Sequence, residues 1–549
     1  MGIGTFLKNK YNLALVVLLL AFFLLMNYKI GYTLGYDESR HATQGHFFYD
    51  YLRTVLSGDF VSLRTFLDEY MKVGYNIGWP ALIDPPAHAI TQALIFMLVG
   101  ASSYAVRLAT MLLVIAGAFL LYFFAGRIFN SRYLAFVTVC LFLFYPYVFE
   151  YSRESIPDIA TSFLMVGWFY YFFYKPGRYV SFVIARGTKI KLNLHLLIAA
   201  IFLAAATLMK YQNMIFAVLF VAIYVLVLCF RQWRLDRSLA NAIVNSGSWK
   251  IIKQFFIVGV IFLLLGGWWL KFSLYDFGMF NRVFFEGMQR GAASKDYFFY
   301  VTETAKTTYF LLLFAIVPLL LWIRDRSSFL AQHWNLLLFM VVVYTFATFF
   351  ISNQKIRYMI AGIPFLFMLI VQGINEFAMI VSSRLKHIKP AYLVAAITLA
   401  FLLPFAWQDV QVANARMTDY GKYNTEVLDY IKAMPDPKLL VYPKGGGQRS
   451  VNYYATPDLF SFEAMVARKE FNPKNMHHLV DIRFWDGDLE NNPQPYFKWL
   501  NATSSQVQTA VFIFRYEPDS SLLPAMSREL PAMGFVPRNL TYFTVFEKK

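Results

Sequence analysis

The sequence is short of charged residues and contains almost no cysteine. Asp, Glu, Lys and Arg make up 15% of its 549 residues, whereas soluble domains carry about 25%. The two cysteines, Cys140 and Cys229, both lie inside apolar segments, so they provide neither a disulfide framework nor a metal-ligand spacing. Internal repeats and low-complexity tracts are also missing from the sequence. A disulfide-stabilised protein and a repeat protein are therefore excluded.

Long apolar segments dominate the chain instead. Hydrophobic residues account for 58% of it, aromatic residues for 19%, and the mean hydropathy is +0.47. A helix needs about 17–25 predominantly apolar residues to cross a bilayer. This composition predicts a polytopic α-helical membrane protein with about eleven spans. The apolar windows lie near residues 12–34, 103–126, 133–150, 159–174, 194–209, 212–230, 251–272, 306–323, 334–351, 358–381 and 391–407.

The distribution of positive charge predicts the orientation of these spans. Lys and Arg outnumber Asp and Glu by 50 to 33, which gives a net charge of +17. The basic residues cluster in every second connection, beginning with Lys8 and Lys10, as the positive-inside rule requires of cytoplasmic loops. Nucleic acid is therefore the weaker explanation of the basic balance, and the N-terminus is predicted to be cytoplasmic. The segments then predicted to lie on the outer side are residues 35–102, 151–158, 273–305, 352–357 and everything after 408.

The first outer loop, residues 35–102, is long and contains helical patterns that do not suit a membrane span. Residues 40–75 carry aromatic and apolar residues at helical spacing together with charges, which predicts short amphipathic helices in the membrane interface. Residues 87–99 are apolar but too short to cross the bilayer comfortably. They predict a further interfacial or re-entrant helix, because a true span there would invert the charge pattern.

The last part of the chain changes character near residue 408. Charges, prolines and turn residues increase, and no spanning segment remains. Alternating helical and extended patterns predict a small extracytoplasmic α/β domain at 408–549, beside a transmembrane domain at 1–407. The helical patterns lie near 424–434 and 521–533, and the extended ones at 438–442, 509–516 and 540–546.

Two acidic clusters fall on the predicted outer side. Asp37 and Glu38 are followed by Arg40 and His41 directly after the first apolar window, and ionisable groups at a membrane boundary are candidates for a functional site. Asp37 is the predicted general base, since a partly desolvated carboxylate can take a proton from a hydroxyl. The alternative is that the two acids cap a helix N-terminus.

The second acidic cluster is Ser152-Arg153-Glu154-Ser155-Ile156-Pro157-Asp158. Asp158 could orient the base, bind a sugar hydroxyl or hold a cation together with Asp37. Considered alone, helix capping is favoured by about two to one, because Pro157 and Asp158 directly precede an apolar helix.

Several cations on the predicted outer side could bind a phosphate group. Arg suits bidentate contact with phosphate, although any single member is better explained by snorkelling to the headgroups. Lys210, Lys355 and Arg357 stand out because they lie at span ends. The whole set is Lys72, Lys210, Arg282, Arg290, Lys355 and Arg357. His41, His46 and His88 match no standard metal-ligand spacing, so no metal site is predicted.

In their order and spacing, these motifs resemble those of the integral-membrane glycosyltransferases of the GT-C type, in the branch of protein O-mannosyltransferases and lipid A aminoarabinose transferases. The resemblance covers residues 1–407. It rests on Asp37-Glu38-Ser39-Arg40-His41, Asp84-Pro85-Pro86-Ala87-His88, Gly100 with Ser103 to Leu108, Tyr145-Pro146 through Pro157-Asp158, Leu208-Met209-Lys210, and Ile356-Arg357-Tyr358 through Pro364.

The resemblance implies inverting transfer of a sugar from a polyprenyl-phosphate donor to an acceptor hydroxyl on the outer face of a membrane, with a bacterial inner membrane as the expected location. The acceptor could be a glycolipid, a polysaccharide or a protein, and membrane lipids are the other expected partners. No cofactor is fixed by the resemblance, and a divalent cation stays open. The implied residues are Asp37, Glu38 and Asp158 for catalysis, Arg40, Lys72, Lys210, Lys355 and Arg357 for the donor phosphate, and His41, His88 and Arg153 for the acceptor or sugar.

Two other functions are compatible with a chain of many spans. A lipid-sugar transporter or flippase would usually place charges in mid-span and show repeats with broken helices, whereas these predicted spans are nearly free of charge. An outer-surface binding protein would explain the last domain but would leave Asp37 and Asp158 without a role. The glycosyltransferase is therefore favoured.

Overall fold

A computed structural model shows how the chain folds. It describes residues 9–30, 34, 36–72, 84–175, 179–183, 189–236, 247–276, 296–324, 328–351, 355–385, 387–415, 430, 438–443, 462, 466, 481–485, 498, 509–515, 528–539 and 543–548.

Helices form nearly all of the described chain up to residue 415. In chain order the α-helices are α1 (Lys10–Asn27), α2 (Tyr36–Leu56), α3 (Leu63–Lys72), α4 (Ala87–Val99), α5 (Ser103–Phe129), α6 (Arg132–Leu143), α7 (Pro146–Arg153), α8 (Asp158–Phe169), α9 (Leu194–Met209), α10 (Gln212–Asp236), α11 (Ser248–Leu270), α12 (Phe299–Thr308), α13 (Ile316–Arg324), α14 (Phe329–Phe350), α15 (Ile363–Arg384) and α16 (Pro390–Ala415).

Short segments of other helix types extend several of these helices. Two π-helical segments continue α8 and α11, and two 3₁₀ segments lead into α13 and α15. Such segments change the pitch of a helix and bend its path. Their bounds are Tyr170–Tyr174, Lys271–Asp276, Tyr309–Ala315 and Ile356–Gly362.

Every apolar window predicted from the sequence contains helix. In the described residues, eight helical stretches are long and apolar enough to cross a membrane. The pair α6 and α7 makes a ninth if its 66° bend lies within one span. The remaining two windows correspond to α9, with 16 residues, and to α8 with its π-helical extension. A helix of 16 residues is about 24 Å long, somewhat less than the hydrocarbon core of about 30 Å.

The described chain divides into two compact units. One contains residues 1–28 and 110–412, and the other contains residues 29–109 and 413–549. The chain passes from one unit to the other after Tyr28, within α5, and near the end of α16. The domains predicted from the sequence, 1–407 and 408–549, stay a prediction.

The first unit is a bundle of apolar helices with an aromatic core. The Phe365 ring of α15 lies 5.0 Å from Phe169 of α8 and 4.7 Å from Phe339 of α14, and all three side chains are fully buried. Each such aromatic pair contributes about 0.5–1.5 kcal/mol beyond the area it buries. A two-stranded antiparallel ribbon, β1 (Tyr179–Val183) and β2 (Lys189–Asn193), joins α8 to α9.

The second unit contains the helices predicted in the first outer loop. The predicted amphipathic helices are present as α2 and α3, and the predicted short apolar helix at 87–99 is α4. The Phe47 ring of α2 packs against Phe66 and Tyr70 of α3, with centroids 5.5 and 5.2 Å away. At Gly45 of α2 a Cβ atom would lie 2.2 Å from the Gln92 side chain of α4, so glycine permits the close approach of α2 and α4.

A five-stranded mixed sheet forms most of the described part of the C-terminal region. Its strands are β3 (Lys438–Pro443), β4 (Asp481–Trp485), β5 (Thr509–Arg515), β6 (Val536–Asn539) and β7 (Phe543–Lys548), in the order β4-β3-β5-β7-β6. Strand β3 runs parallel to β4 and β5, and β7 runs antiparallel to β5 and β6. The three predicted strands are confirmed, whereas β4 and β6 were not predicted.

The two helices predicted in this region are described only in part. Residues 528–532 are helical within the predicted 521–533. Of the predicted helix at 424–434, Tyr430 alone lies among the described residues.

Candidate functional site

The first acidic cluster forms the N-terminal turn of α2. Asp37 is the second residue of this helix, and its side chain lies outside the described residues. Acidic residues in a first turn are favoured by the helix dipole, so the predicted capping position is compatible with the observed helix start. The backbone position of Asp37 is therefore set by the first turn of α2.

Glu38 makes a buried bidentate ion pair with Arg107 of α5. Arg107 Nε donates to Oε1 at 2.8 Å and Nη2 donates to Oε2 at 2.9 Å, while Nη1 donates to the Ile30 carbonyl at 2.9 Å. Both residues are buried, and Arg107 has no exposed surface. Two parallel charge-assisted bonds also fix the orientation of the carboxylate. Glu38, predicted as catalytic, thus anchors the first turn of α2 to α5.

Arg40 and His41 both face Asp84, the residue that precedes the Pro85-Pro86 turn. Arg40 Nε lies 2.7 Å from Asp84 Oδ2, and the Nδ1 atom of His41 lies 3.8 Å from the same oxygen. Gln44, one turn further along α2, donates from Nε2 to the Asp84 carbonyl at 2.8 Å. Together these contacts attach one face of α2 to the turn that starts α4.

His88 lies beside His41 on the neighbouring helix α4. The two rings meet edge to face with their centroids 5.5 Å apart. The Nε2 atom of His88 is 3.2 Å from the Gln92 amide nitrogen, and all three side chains are buried. The two histidines predicted for acceptor or sugar binding are therefore brought together.

Lys72 is the last residue of α3, and its side chain lies outside the described residues. The preceding turn of α3 is fixed to α2 by a buried polar cluster. The Tyr70 hydroxyl donates to Asp50 Oδ2, and His46 Nδ1 lies 3.1 Å from that same oxygen. These bonds fix the backbone of the helix that ends at Lys72.

The second acidic cluster presents Asp158 to a lysine within the first unit. Pro157 precedes α8 and Asp158 is its first residue, a position that suits both the fixed φ of proline and an acidic side chain. Lys210, which follows the last residue of α9, forms an ion pair with the Asp158 carboxylate. Asp158 is buried and the Lys210 side chain is 19% exposed.

Two predicted phosphate-binding cations lie against the same aromatic ring. The Lys210 ammonium is 4.6 Å from the centroid of the Tyr358 ring, and the Arg357 guanidinium carbon is 5.5 Å from it. Lys355 precedes the 3₁₀ segment that carries Arg357, and its side chain is exposed. Asp158, Lys210 and Arg357 therefore form one cluster at the ends of three helical segments.

Arg153, predicted for acceptor or sugar binding, is fully buried at the end of α7. Its Nη2 atom donates to the Tyr28 carbonyl at 2.7 Å, which satisfies one of the carbonyls left open at the end of α1. The Phe149 ring lies 5.6 Å from the guanidinium carbon. The Arg153 guanidinium is thus held by two protein groups, the Tyr28 carbonyl and the Phe149 ring.

The structure brings the predicted residues together in two groups. In the second unit Glu38, Arg40, His41 and His88 surround the start of α2, and in the first unit Asp158, Lys210 and Arg357 form the other group. Arg107, Asp84 and Tyr358 were not assigned a role from the sequence. All three lie inside the motifs that carried the resemblance, and this position was the sequence feature that could have indicated a role for them.

The described residues contain no group of three or more His, Cys, Asp and Glu side chains arranged to hold a metal ion. Asp84, whose carboxylate lies 3.8 Å from His41 Nδ1, is paired with Arg40 instead. A guanidinium in that position offers no ligand to a cation and repels it. In the described residues, the Asp84 carboxylate is therefore already paired with a cation.

Comparison with known protein families agrees with the resemblance found in the motifs. The family model of dolichyl-phosphate-mannose-protein mannosyltransferases matches residues 84–245, which include α4 to α10. A comparison with curated protein sequences gives no match.

Solved structures resemble the whole chain. ArnT from Cupriavidus metallidurans, bound to undecaprenyl phosphate, is similar with a TM-score of 0.60 and 16% sequence identity over 97% of each chain. The oligosaccharyltransferase of Archaeoglobus fulgidus, tethered to an acceptor peptide, is similar with a TM-score of 0.51 and 12% identity over 99% of this chain and 74% of that one. The protein is thus an integral membrane protein with the GT-C fold, as predicted.

Proposed function

We propose that the protein is an inverting glycosyltransferase that moves a sugar from a polyprenyl-phosphate donor to an acceptor hydroxyl. Asp37 is its general base, and the acceptor is a glycolipid, a polysaccharide or a protein. The reaction takes place on the outer face of a bacterial inner membrane, with the N-terminus in the cytoplasm and the C-terminal domain outside. The reaction as written uses no bound metal ion, and a divalent cation at the site is left open.

One observation carries the proposal. Two residues that closely follow Asp37 are held in place, Glu38 by Arg107 and Arg40 by Asp84. A general base must be kept within hydrogen-bond reach of the proton it removes, and a helix start fixed at two points provides such rigidity. A helix that served only to span the membrane would not need these two ion pairs, one buried and one partly exposed, in its first turns.

The chemistry needs few groups beyond the base. Asp37 removes the proton of the acceptor hydroxyl while the oxygen of that hydroxyl attacks the anomeric carbon of the donor. The bond from that carbon to the phosphate oxygen then breaks, and the polyprenyl phosphate leaves with the electron pair. Attack from the face opposite the phosphate inverts the anomeric carbon. Cations that hold the leaving phosphate lower the barrier, because they stabilise the charge that develops on it.

The proposed phosphate ligands are Lys210 and Arg357, with Lys355, Lys72 and Arg40 as further members. Support comes from the shared ring of Tyr358, which holds the first two cations in one cluster. Support also comes from ArnT of C. metallidurans, a structure of the same fold that contains undecaprenyl phosphate. Asp158 keeps Lys210 oriented through their ion pair and orients the acceptor or the sugar.

A strain in which the gene is deleted tests this function in cells, because it should accumulate the unused lipid-linked sugar. Mass spectrometry should detect a polyprenyl-phosphate sugar that disappears when the wild-type gene is restored. Restoring the Asp37→Asn variant should leave the accumulation unchanged, and the Asp68→Asn variant, altered at an exposed site on α3, should remove it. A deletion strain without such accumulation would contradict the proposal, and so would full complementation by Asp37→Asn. A flippase would instead leave the lipid-linked sugar on the cytoplasmic leaflet.

A further inference from the structure

The two-stranded ribbon between α8 and α9 has no role in the function proposed above. It consists of β1 (Tyr179–Val183) and β2 (Lys189–Asn193), and among the described residues these strands pair only with each other. A ribbon of two strands is at best marginally stable in water unless something covers its hydrophobic residues. The ribbon therefore raises the question of what covers it.

The strand register divides the ribbon into an apolar face and a basic face. Alternate residues of a strand belong to opposite faces, and paired residues of neighbouring strands share a face. The apolar face consists of two cross-strand pairs, Val180 with Leu192 and Phe182 with Ile190. The basic face consists of the other three pairs, two of which contain a lysine: Tyr179 with Asn193, Ser181 with Lys191, and Val183 with Lys189.

The segment that contains the ribbon is strongly basic. Residues 175–193 include five Lys and Arg residues and no Asp or Glu. Lys175, which directly follows the π-helical extension of α8, has an exposed side chain. Clusters of basic residues next to a membrane span are attracted to anionic lipid headgroups. The charge of this segment is therefore complementary to an anionic lipid surface.

Both ends of the ribbon are attached to helix ends. Residues 175–178 connect the π-helical extension of α8 to β1, and α9 begins directly after β2, with Asn193 as its N-cap. Because α9 has 16 residues, it is about 24 Å long, whereas the hydrocarbon core of a bilayer is about 30 Å thick. A span shorter than the core keeps its ends at the membrane interface. The end of β2 is therefore expected at the level of the headgroups.

We propose that the ribbon of β1 and β2 binds the membrane surface, with its apolar face in the interface and its lysines attracted to the phosphate groups of anionic phospholipids. The ribbon is thin, so the lysines of the basic face stay within a Debye length, about 10 Å, of these phosphates. An acidic protein surface would match the charge alone, whereas a lipid surface also covers the four hydrophobic residues. The proposal is independent of the sugar-transfer reaction.

Fluorescence quenching by spin-labelled lipids tests which face meets the bilayer. The full-length protein, with Cys140 and Cys229 replaced by alanine, receives one cysteine that carries an environment-sensitive fluorophore. Val180→Cys and Ile190→Cys report on the apolar face, and Ser181→Cys reports on the basic face. In nanodiscs of phosphatidylcholine and phosphatidylglycerol, a spin label near the top of the acyl chain should quench the two apolar-face positions about twofold more than Ser181→Cys.

Lipid charge and protein charge test the electrostatic part of the proposal. In nanodiscs of phosphatidylcholine alone, quenching at Val180→Cys should fall by about half or more, because the anionic headgroups are missing. In the mixed nanodiscs, the added pair Lys189→Gln and Lys191→Gln should lower the quenching to a similar extent. The matched control removes two exposed lysines elsewhere, Lys250→Gln at the start of α11 and Lys389→Gln before α16, and should leave the quenching unchanged.

Three results would overturn the proposal. Absence of quenching at Val180→Cys and Ile190→Cys would show that the ribbon packs on protein, and equal quenching at Ser181→Cys would refute the two faces. Quenching that is the same with and without phosphatidylglycerol would exclude anionic lipid as the partner, as would an equal loss in the control pair. If Val180→Cys does not fold, Ile190→Cys on the other strand gives the same reading. Because none of these measurements uses sugar transfer, failure of the proposed function would leave them unaffected.

Discussion

At the scale of single residues, the ion pair between Glu38 and Arg107 fixes the start of α2 through a bidentate contact. Three donors of one guanidinium are used, two by the carboxylate and one by the Ile30 carbonyl. Only the planar fork of arginine can make these bonds at once. The pair holds the first turn of α2, and so the backbone that carries Asp37.

Replacing Arg107 by lysine should therefore destabilise the protein although it keeps the charge. The loss of at least one charge-assisted bond in a buried site predicts a decrease of about 2 kcal/mol in the free energy of unfolding. Thermal unfolding in detergent measures this change. Arg528→Lys is the control, because Arg528 pairs with Glu529 while 76% exposed, and a similar loss in both variants would contradict the account.

Arg357 offers a test of the proposed phosphate cluster. Removing one charged partner of a bound phosphate should weaken donor binding by about 10- to 100-fold. Equilibrium binding of a polyprenyl-phosphate sugar to Arg357→Ala in nanodiscs measures the effect. Lys389→Ala changes an exposed cation in the connection between α15 and α16 and should bind as the wild type does. Equal affinity in Arg357→Ala would exclude the phosphate role.

The sequence identified these residues better than it identified their partners. Glu38 and Arg107 both stood in recognisable motifs, yet nothing in one sequence shows that residues 69 positions apart form an ion pair. The same holds for Asp158 and Lys210, which are 52 positions apart. Such pairings depend on how helices pack, and the packing is not encoded in local spacing.

At the scale of elements, the apolar spans were predictable because each apolar window extends over at least sixteen residues. The strands β4 and β6 were missed for the opposite reason. They contain five and four residues, and the sequences Asp481-Ile-Arg-Phe-Trp and Val536-Pro-Arg-Asn contain charges and a proline that weaken a strand pattern. Their place in the sheet comes from pairing with neighbouring strands.

The contact between α15 and the 3₁₀ segment Tyr309–Ala315 depends on glycine. A Cβ atom at Gly373 would lie 1.7 Å from the Phe314 carbonyl oxygen and 3.1 Å from Pro318. A backbone oxygen cannot move aside as the end of a flexible side chain can. The segment before α13 can pack closely on α15 only because residue 373 has no side chain.

Gly373→Ala should consequently destabilise the first unit by about 1–3 kcal/mol or prevent its folding. The matched control is Gly259→Ala in α11, where a Cβ atom would meet nothing within 4 Å. That substitution should leave the protein as stable or slightly more stable, because alanine favours helix. Detergent-resistant folded protein and Tm report both effects, and equal stability of the two variants would refute this packing.

At the scale of the whole molecule, the basic connections predict which side of the membrane each loop occupies. Labelling with a membrane-impermeant maleimide tests this orientation after Cys140 and Cys229 are replaced by alanine. Ser57→Cys, at an exposed position after α2, should react in intact cells freed of their outer membrane. Ser383→Cys, exposed near the end of α15, should react only after permeabilisation. The reverse pattern would invert the assignment of the outer face.

The fold class of the whole chain was predictable, whereas the grouping of segments distant in sequence was not. The motifs led to the GT-C fold, and the similarity to ArnT over 97% of both chains agrees. No sequence pattern indicated that residues 29–109 group with 413–549. That grouping joins segments more than 300 residues apart and follows from tertiary packing alone.

Transfer by the purified protein tests the central claim most directly. Wild-type and Asp37→Asn proteins in nanodiscs would receive a radiolabelled polyprenyl-phosphate sugar and a membrane extract as the source of acceptor, and donor binding would be measured in parallel. We predict that Asp37→Asn binds the donor with wild-type affinity and loses at least a thousandfold in the rate of sugar transfer. Transfer at the wild-type rate by Asp37→Asn would contradict the account.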